Sequence, residues 1–410
     1  MKTPNMDDKP HNLRSLIAEA KDTSELMVDL AYAAVYFGDP DMAEEVRDLE
    51  STMTALVDQM RTLACLGVRH PREASGMSRV LQVVSAIERI GNDAVNIART
   101  VSKQLGIPTH LVEELRDAEE VSHRVVVSEE SAMAHRALVD IELPVHTGMR
   151  ILAVRGGDGW TTTVTGETIL VPDDVLFLEG PPAGIDMARE LAGAPPRPEP
   201  VETEPVEELD RAIDVLVEMK NLSEAAVALA YSAIVLGDRG LAAEVRHLEM
   251  RLDEMHDQLE TWVLRAAKGR STDPAPLRGL LHLAAASEDI GDQASAMVMF
   301  VEHGQEVHPV LGVALADTDE VVLRVPVAAG STGEGASLAE LKLDVTPGYT
   351  VLAIKRGGTY RHRPNGHDRL IVGDEVIASG HDEGREQFAE VFGWRLVADD
   401  EVGDHVLAAL

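Results

Sequence analysis

The sequence has 410 residues and a mass of 44.3 kDa, room for two to four domains at ~100–200 residues each. Acids outnumber bases 71 to 37, for a net charge of -34, and no Lys/Arg block is long enough for a nucleic-acid footprint. Direct contact with nucleic acid is therefore excluded, and a 45% apolar content excludes wholesale disorder. Only eight of the bases are lysine and aromatics make up 3%. That composition suits a salt-rich cytoplasm, where a screening length of about 3 Å at 1 M suppresses self-repulsion.

Residues 1–12 are polar, with Pro4 and Pro10, and read as a disordered N-terminus without the apolar core of a signal peptide. No apolar run approaches the ~20 residues needed to span a bilayer. From Leu13 the apolar positions Leu16, Ile17, Ala20, Leu26 and Met27 recur at three- and four-residue spacing, the period of an amphipathic helix. Gly38-Asp39-Pro40 ends this helix and Pro71 ends the next, so residues 13–108 read as a three-helix antiparallel bundle. Cys65 falls in the apolar stretch of the second helix and is expected to be buried. A single cysteine also excludes an internal disulfide and a four-thiolate zinc site, and fits a reducing compartment. Residues 113–183 change character. Val125-Val126-Val127, Ile151 to Val154, Thr168 to Val171 and Val175 to Leu178 read as strands of a small α+β domain.

The sequence then starts again. Residues 194–208, rich in Pro and Glu, form a linker, after which Glu224 to Glu249 repeats Glu25 to Glu50 without a gap at an offset of 199. Beyond a one-residue insertion the offset is 200, with Gly148 to Arg155 matching Gly348 to Lys355. Residues 209–306 thus read as a second bundle and 313–383 as a second small domain. Residues 384–410 read as a helix and an acidic tail. Each small domain leaves strand edges open, and the linker's ~20 Å span lets the two copies pair within one chain. A pseudo-two-fold monomer, able to form a homodimer, is expected.

Two clusters carry candidate chemistry. Glu249 with Asp253, and Glu288 with Asp292, are each four residues apart and so share a helix face. If those helices are neighbours, four carboxylates converge, an oxygen-rich set suited to Mg, Mn or iron. About a dozen acid pairs at this spacing are expected by chance in so acidic a chain, which leaves a solvated face as the alternative. The first copy has Glu50 with Thr54 and Glu88 with Asn92, one acid missing from each pair, and is expected to pack without metal, Glu88 and Arg89 serving as an ordinary ion-pair site. The second cluster is basic: Lys355, Arg356, Arg361 and Arg363, near His362, His367 and Arg369. It reads either as a site for a small anion, since Arg forks suit phosphate, or as a loop neutralising nearby acids. No nucleophile or metal-hydrolase motif is present, so an enzyme is not expected.

The segments Glu88 to Ala98 and Glu288 to Ala294 resemble the third-helix signature of the PhoU family, and Glu249-Met250-Arg251-Leu252-Asp253 resembles its second-helix acid pair. The segments Ser337 to Leu341, Pro347 to Arg356 and Gly373 to Gly380 are similar to the TrkA C-terminal (RCK C-terminal) domain. The resemblance implies an α+β protein of two repeats, each a three-helix PhoU-like bundle followed by a TrkA-C domain, of an archaeal, halophilic type. It further implies a cytoplasmic regulator, peripheral at the membrane through a cation transporter or channel, most naturally for potassium. A metal in the second bundle and a nucleotide effector such as cyclic di-AMP are implied with it. No G-x-G-x-x-G follows a strand, so NAD is not expected. A PhoU-type regulator of phosphate uptake and a metal-binding scaffold without a small ligand are the alternatives.

Overall fold

The structure is a computed structural model. It describes residues 12–157, 159–196, 207–268, 274–316, 318–399 and 404–410. Most of the expected linker and the N-terminal tail lie outside these residues.

Three long helices open the chain: α1 (Leu13–Phe37), α2 (Pro40–Gly67) and α3 (Pro71–Ser102). Asn12 caps α1 by accepting from the Ser15 amide at 3.0 Å, and Gly38, left-handed at φ 61°, ends it. Asp39 then caps α2, and Pro40 and Pro71 sit at helix starts, where a missing N–H costs nothing. A short α4 (Thr109–Glu114) leads into the first small domain: β1 (Val121–Val126), α5 (Leu138–Ile141), α6 (Leu143–Thr147), β2 (Arg150–Gly156), β3 (Gly159–Thr161), β4 (Val175–Gly180) and α7 (Ile185–Leu191). Its antiparallel sheet has the order β1-β4-β2-β3.

The second copy repeats the plan. Helices α8 (Glu207–Leu236), α9 (Arg239–Lys268) and α10 (Pro274–Glu302) form a bundle, and α11 (Pro309–Leu315) leads onward. The second small domain comprises β5 (Glu320–Pro326), α12 (Leu338–Leu341), β6 (Tyr349–Arg356), β7 (Thr359–His362), β8 (Glu375–His381) and α13 (Arg385–Val391), with sheet order β5-β8-β6-β7. The expected acidic tail is instead a hairpin, β9 (Trp394–Asp399) with β10 (Asp404–Ala409), fastened by the Trp394 indole N–H on the Pro326 carbonyl at 2.6 Å. Two expected strands are also corrected. Thr168 to Val171 makes only the single bridge Ala137–Ile169, and its repeat Leu370 to Val372 is preceded by the single bridge Ser337–Arg369; the Asp174 and Asp374 side chains take the Val171 and Ile371 amides. Cys65 is exposed, not buried: Met60 and Ala64 occupy the inward face of α2.

The two bundles share one apolar core, to which α1, α3, α8 and α10 all contribute, whereas each small domain has a core of its own. Across the bundle seam the contacts are reciprocal. Lys21 lies 5.2 Å from the Tyr231 ring centroid, and its repeat partner Lys220 lies 5.2 Å from Tyr32. The Tyr32 hydroxyl meets Ser287 Oγ at 2.8 Å, and Gln82 donates to the Ala296 carbonyl at 2.7 Å. The small domains also touch. Gly148 (φ +67°) comes so close to Asp344 that a Cβ there would stand 2.1 Å from its carbonyl oxygen, and Gly348 meets Pro144 in the same way at 2.5 Å. The chain is therefore its own pseudo-dimer.

Candidate functional site

In the second bundle α9 and α10 bring Glu249, Asp253 and Asp292 together, with ligand atoms within 4.8 Å of one another. Burial, then repulsion by Asp253 and Asp292, pushes Glu249 above the usual carboxylate range. Asp292 rises for the like reasons, burial first and then Asp253 and Asp289. Three hard oxygen donors in mutual repulsion form a set that a divalent cation relieves. Glu288 lies beside this trio rather than within it, pushed up to about 7 by burial and by Asp292, Asp289 and Asp253, with His256 Nδ1 at 3.7 Å.

The first bundle is closed at the matching place. Arg61 donates to Glu88 at 2.6 Å, and the Thr54 hydroxyl is turned back to the Glu50 carbonyl at 3.0 Å. The repeat partner of Arg61 is Glu260, so the second copy loses the cation that neutralises the first. Glu88 pairs with Arg61 rather than serving next to Arg89, whose guanidinium reaches Gln293 across the seam at 3.5 Å.

The four basic residues of the second small domain do not point at a common space. Arg356 grips Asp374 through two bonds of 2.7 Å, Arg361 pairs with Asp368 at 2.7 Å, and Lys355 with Glu375 at 3.4 Å. Arg363 leaves the domain, holding Glu119 at 2.6 Å and Glu218 of α8 at 3.3 Å. Alternation sends Lys355 and Arg356 to opposite faces of β6, the register puts Arg361 on the face of Arg356, and Arg363 lies beyond β7 at φ 42°, so the cluster in sequence is dispersed in space. Here the cations clamp the domain to itself and to its neighbours.

The same domain is tied to its bundle at Asp238. One oxygen of Asp238 caps α9 through the Gly240 and Leu241 amides (2.8 and 3.2 Å); the other accepts from the Tyr360 hydroxyl at 2.6 Å and pairs with Arg324. At the repeat position Asp39 makes the cap alone, with Trp160 and Arg124 standing where Tyr360 and Arg324 would be.

Sequence reasoning missed a third cluster, where both small domains meet the bundles. Lys21 pairs with Glu25 and Lys220 with Glu224, each at 2.7 Å. Arg150 of β2 lies between carboxylates of three domains. The recurrence of Lys-x-x-x-Glu in both copies, using two of only eight lysines, was the available signal.

Family models match the chain in alternation. The PhoU domain matches residues 17–101 and 216–301, and the TrkA-C domain matches residues 123–193 and 322–393. The chain is a tandem of PhoU and TrkA-C domains. No curated protein matches it. Among solved structures it is similar to PhoU from Pseudomonas aeruginosa, at 14% identity over 72% of this chain and 96% of that one, with a TM-score of 0.40. The GsuK RCK domain is 16% identical, with coverages of 67% and 63% and a TM-score of 0.17. The GsuK channel bound to NAD is 14% identical, with coverages of 74% and 65% and a TM-score of 0.19. This chain thus spans just under two thirds of the GsuK chains. PhoU and TrkA-C domains are regulatory modules tied to ion transport, and no helix among the described residues is long and apolar enough to cross a membrane.

Proposed function

We propose that this tandem protein is a non-enzymatic regulatory subunit of a membrane cation transporter or channel, with potassium the favoured ion. The observation that carries the reading is the mechanical wiring of the TrkA-C domains to the PhoU bundles. Asp238 of the second bundle holds Tyr360 and Arg324 of the second sheet, and Asp29 of α1 holds Arg150 of the first at 2.8 Å. A ligand event in either module therefore displaces groups in the other. In this reading the second bundle carries a divalent or ferrous ion on Glu249, Asp253 and Asp292, with Glu288 in reserve beside them. Such an ion supplies positive charge that fixes α9 against α10. An anionic effector at Lys355, Arg356, Arg361 and Arg363 has to displace five carboxylates, so these residues are better read as the clamp through which the domains communicate.

The two bundles keep one second reading in play, a regulator of phosphate uptake. Cells with the gene deleted separate the two. Rubidium-86 uptake altered at unchanged phosphate-32 uptake supports the cation reading. The reverse pattern transfers the protein to phosphate control, and no change in either flux rejects both.

A further inference from the structure

Arg150 is the only cation, among the described residues, in ion-pair contact with four carboxylates from three domains. Its guanidinium stands 2.8 Å from Asp29 of α1, 3.5 Å from Glu120, 3.6 Å from Glu179 of β4 and 3.7 Å from Glu320 of β5. Glu120 and Glu320 are repeat partners, so near-equal distances to both place Arg150 close to the pseudo-two-fold axis. The second copy has Thr350 in its place. It also has Ser379 for Glu179 and Ala228 for Asp29.

The charges do not close. Lys21 and Lys220 each pair with their own glutamate and reach the other acids only at longer range, so the junction's carboxylates outnumber its cations. Glu179 shows the deficit most plainly: its side chain is 1% exposed, and neither of its oxygens has a hydrogen-bond partner. Among the described residues, the only ion pair that offsets this buried side chain is the long contact with Arg150, itself shared among four carboxylates. Two clefts, of about 1670 and 870 Å³, reach the junction, and Glu25, Asp29, Arg150 and Glu320 line both.

We infer that this four-domain junction is a binding site for small monovalent cations, which complete its charge and hold the TrkA-C domains against the bundles. The site goes beyond the regulatory reading and does not depend on it. A chelated divalent ion is not the occupant, because among the described residues only the Glu249 trio brings three carboxylates close enough. Two sources supply the same charge: protons, or alkali-metal ions such as potassium.

The groups facing the junction say what each source does. On α1, burial pushes Asp22 up to about 7 and raises Glu25 and Asp29, Lys21 and Arg150 countering only in part. Burial likewise raises Glu120 before β1 and Glu224 on α8, beside Lys220. From the second small domain, Glu320 is held down by Arg150 and Lys21 despite its burial, and burial keeps His381 of β8 below the usual histidine range. Asp319 adds one further negative charge. Raised carboxyl values mean that the folded state holds protons the unfolded chain releases. Their stabilisation is full below about pH 4 and is lost as pH rises through about 7.

The test uses the full chain and thermal midpoints at constant ionic strength, exchanging choline chloride for KCl at pH 7.5 and, separately, varying pH from 5.5 to 8.5 in choline. If potassium is the occupant, the midpoint climbs with KCl, and Glu179→Gln flattens that slope, since it removes one of the surplus negative charges. If protons are, KCl and choline behave alike, and the midpoint falls with pH less steeply in Asp22→Asn than in the parent. Glu320→Gln, at a more exposed position, repeats the KCl comparison should Glu179→Gln not fold. Rubidium-86 binding to the parent by equilibrium dialysis reads the alkali-ion arm without any variant. Parent and variants with the same KCl and pH responses, together with no rubidium binding, overturn the inference.

Discussion

Asp238 is the sharpest place to test how the TrkA-C domain is coupled to its bundle, because the repeat supplies the control. Asp238→Ala removes a helix cap, at about 1 kcal/mol, and two hydrogen bonds to a charged carboxylate at about 1.5–3 kcal/mol each. Tyr360 and Arg324 are partly exposed, which discounts the sum to about 3–5 kcal/mol. Asp39→Ala removes the cap alone and is expected to cost about 1 kcal/mol. Native-state hydrogen exchange at the first turns of α9 and α2 reads each site locally, and thus avoids treating a four-domain chain as two-state. Burial works against Asp238, but the Tyr360 hydroxyl, the Leu241 amide and Arg324 hold its carboxyl below the usual range. A depressed folded value means that the stabilisation is present above the unfolded value and is lost as pH falls through the folded one. The gap between the two variants should therefore persist at pH 7 and close below about pH 4. Equal protection losses in Asp238→Ala and Asp39→Ala at pH 7 would refute the coupling.

Manganese titration by calorimetry should show one site in the parent and none in Asp253→Ala/Asp292→Ala, whereas Glu50→Ala in the first bundle changes nothing; an unchanged titration of the double variant removes the metal proposal. Arg363→Thr should lower the thermal midpoint by releasing Glu119 and Glu218 together, and should leave the affinity for cyclic di-AMP or any other nucleotide unaltered; a parent that binds nucleotide and loses it in this variant would restore the anion site. Gly148→Ala places a Cβ against the Asp344 carbonyl at a left-handed backbone position. The small domains should then part, raising the radius of gyration by small-angle scattering, and an unchanged profile would mean that they do not rest on this contact.

The repeat, the helices and the sheets were legible because each leaves a pattern in the sequence: a period of three to four residues for the bundles, short β-branched runs for the strands, and an offset of 199–200 for the whole module. The exposure of Cys65 was not, since apolar neighbours at Met60 and Leu66 hide which residue of the turn faces inward. The misassigned strands at Thr168 and Leu370 fail for a related reason. Their composition suits a strand, but their amides are taken by Asp174 and Asp374, which a propensity argument does not weigh.

The candidate sites divide along the same line. Glu249, Asp253 and Asp292 were readable because the helix repeat fixes which residues share a face, and only the choice of facing helix was left to tertiary packing. The basic strand end was legible as a cluster but not in its pairing, because Lys355 and Arg356 take opposite faces of β6 and Arg363 lies beyond β7. Arg150 was invisible for a deeper reason. An internal repeat draws attention to positions where the copies agree, yet a junction between the copies is also built where they differ. Around Glu120 and Glu320, which agree, Arg150 stands against Thr350, Glu179 against Ser379 and Asp29 against Ala228. Comparing the copies for disagreement, as well as for agreement, points to the junction from sequence alone.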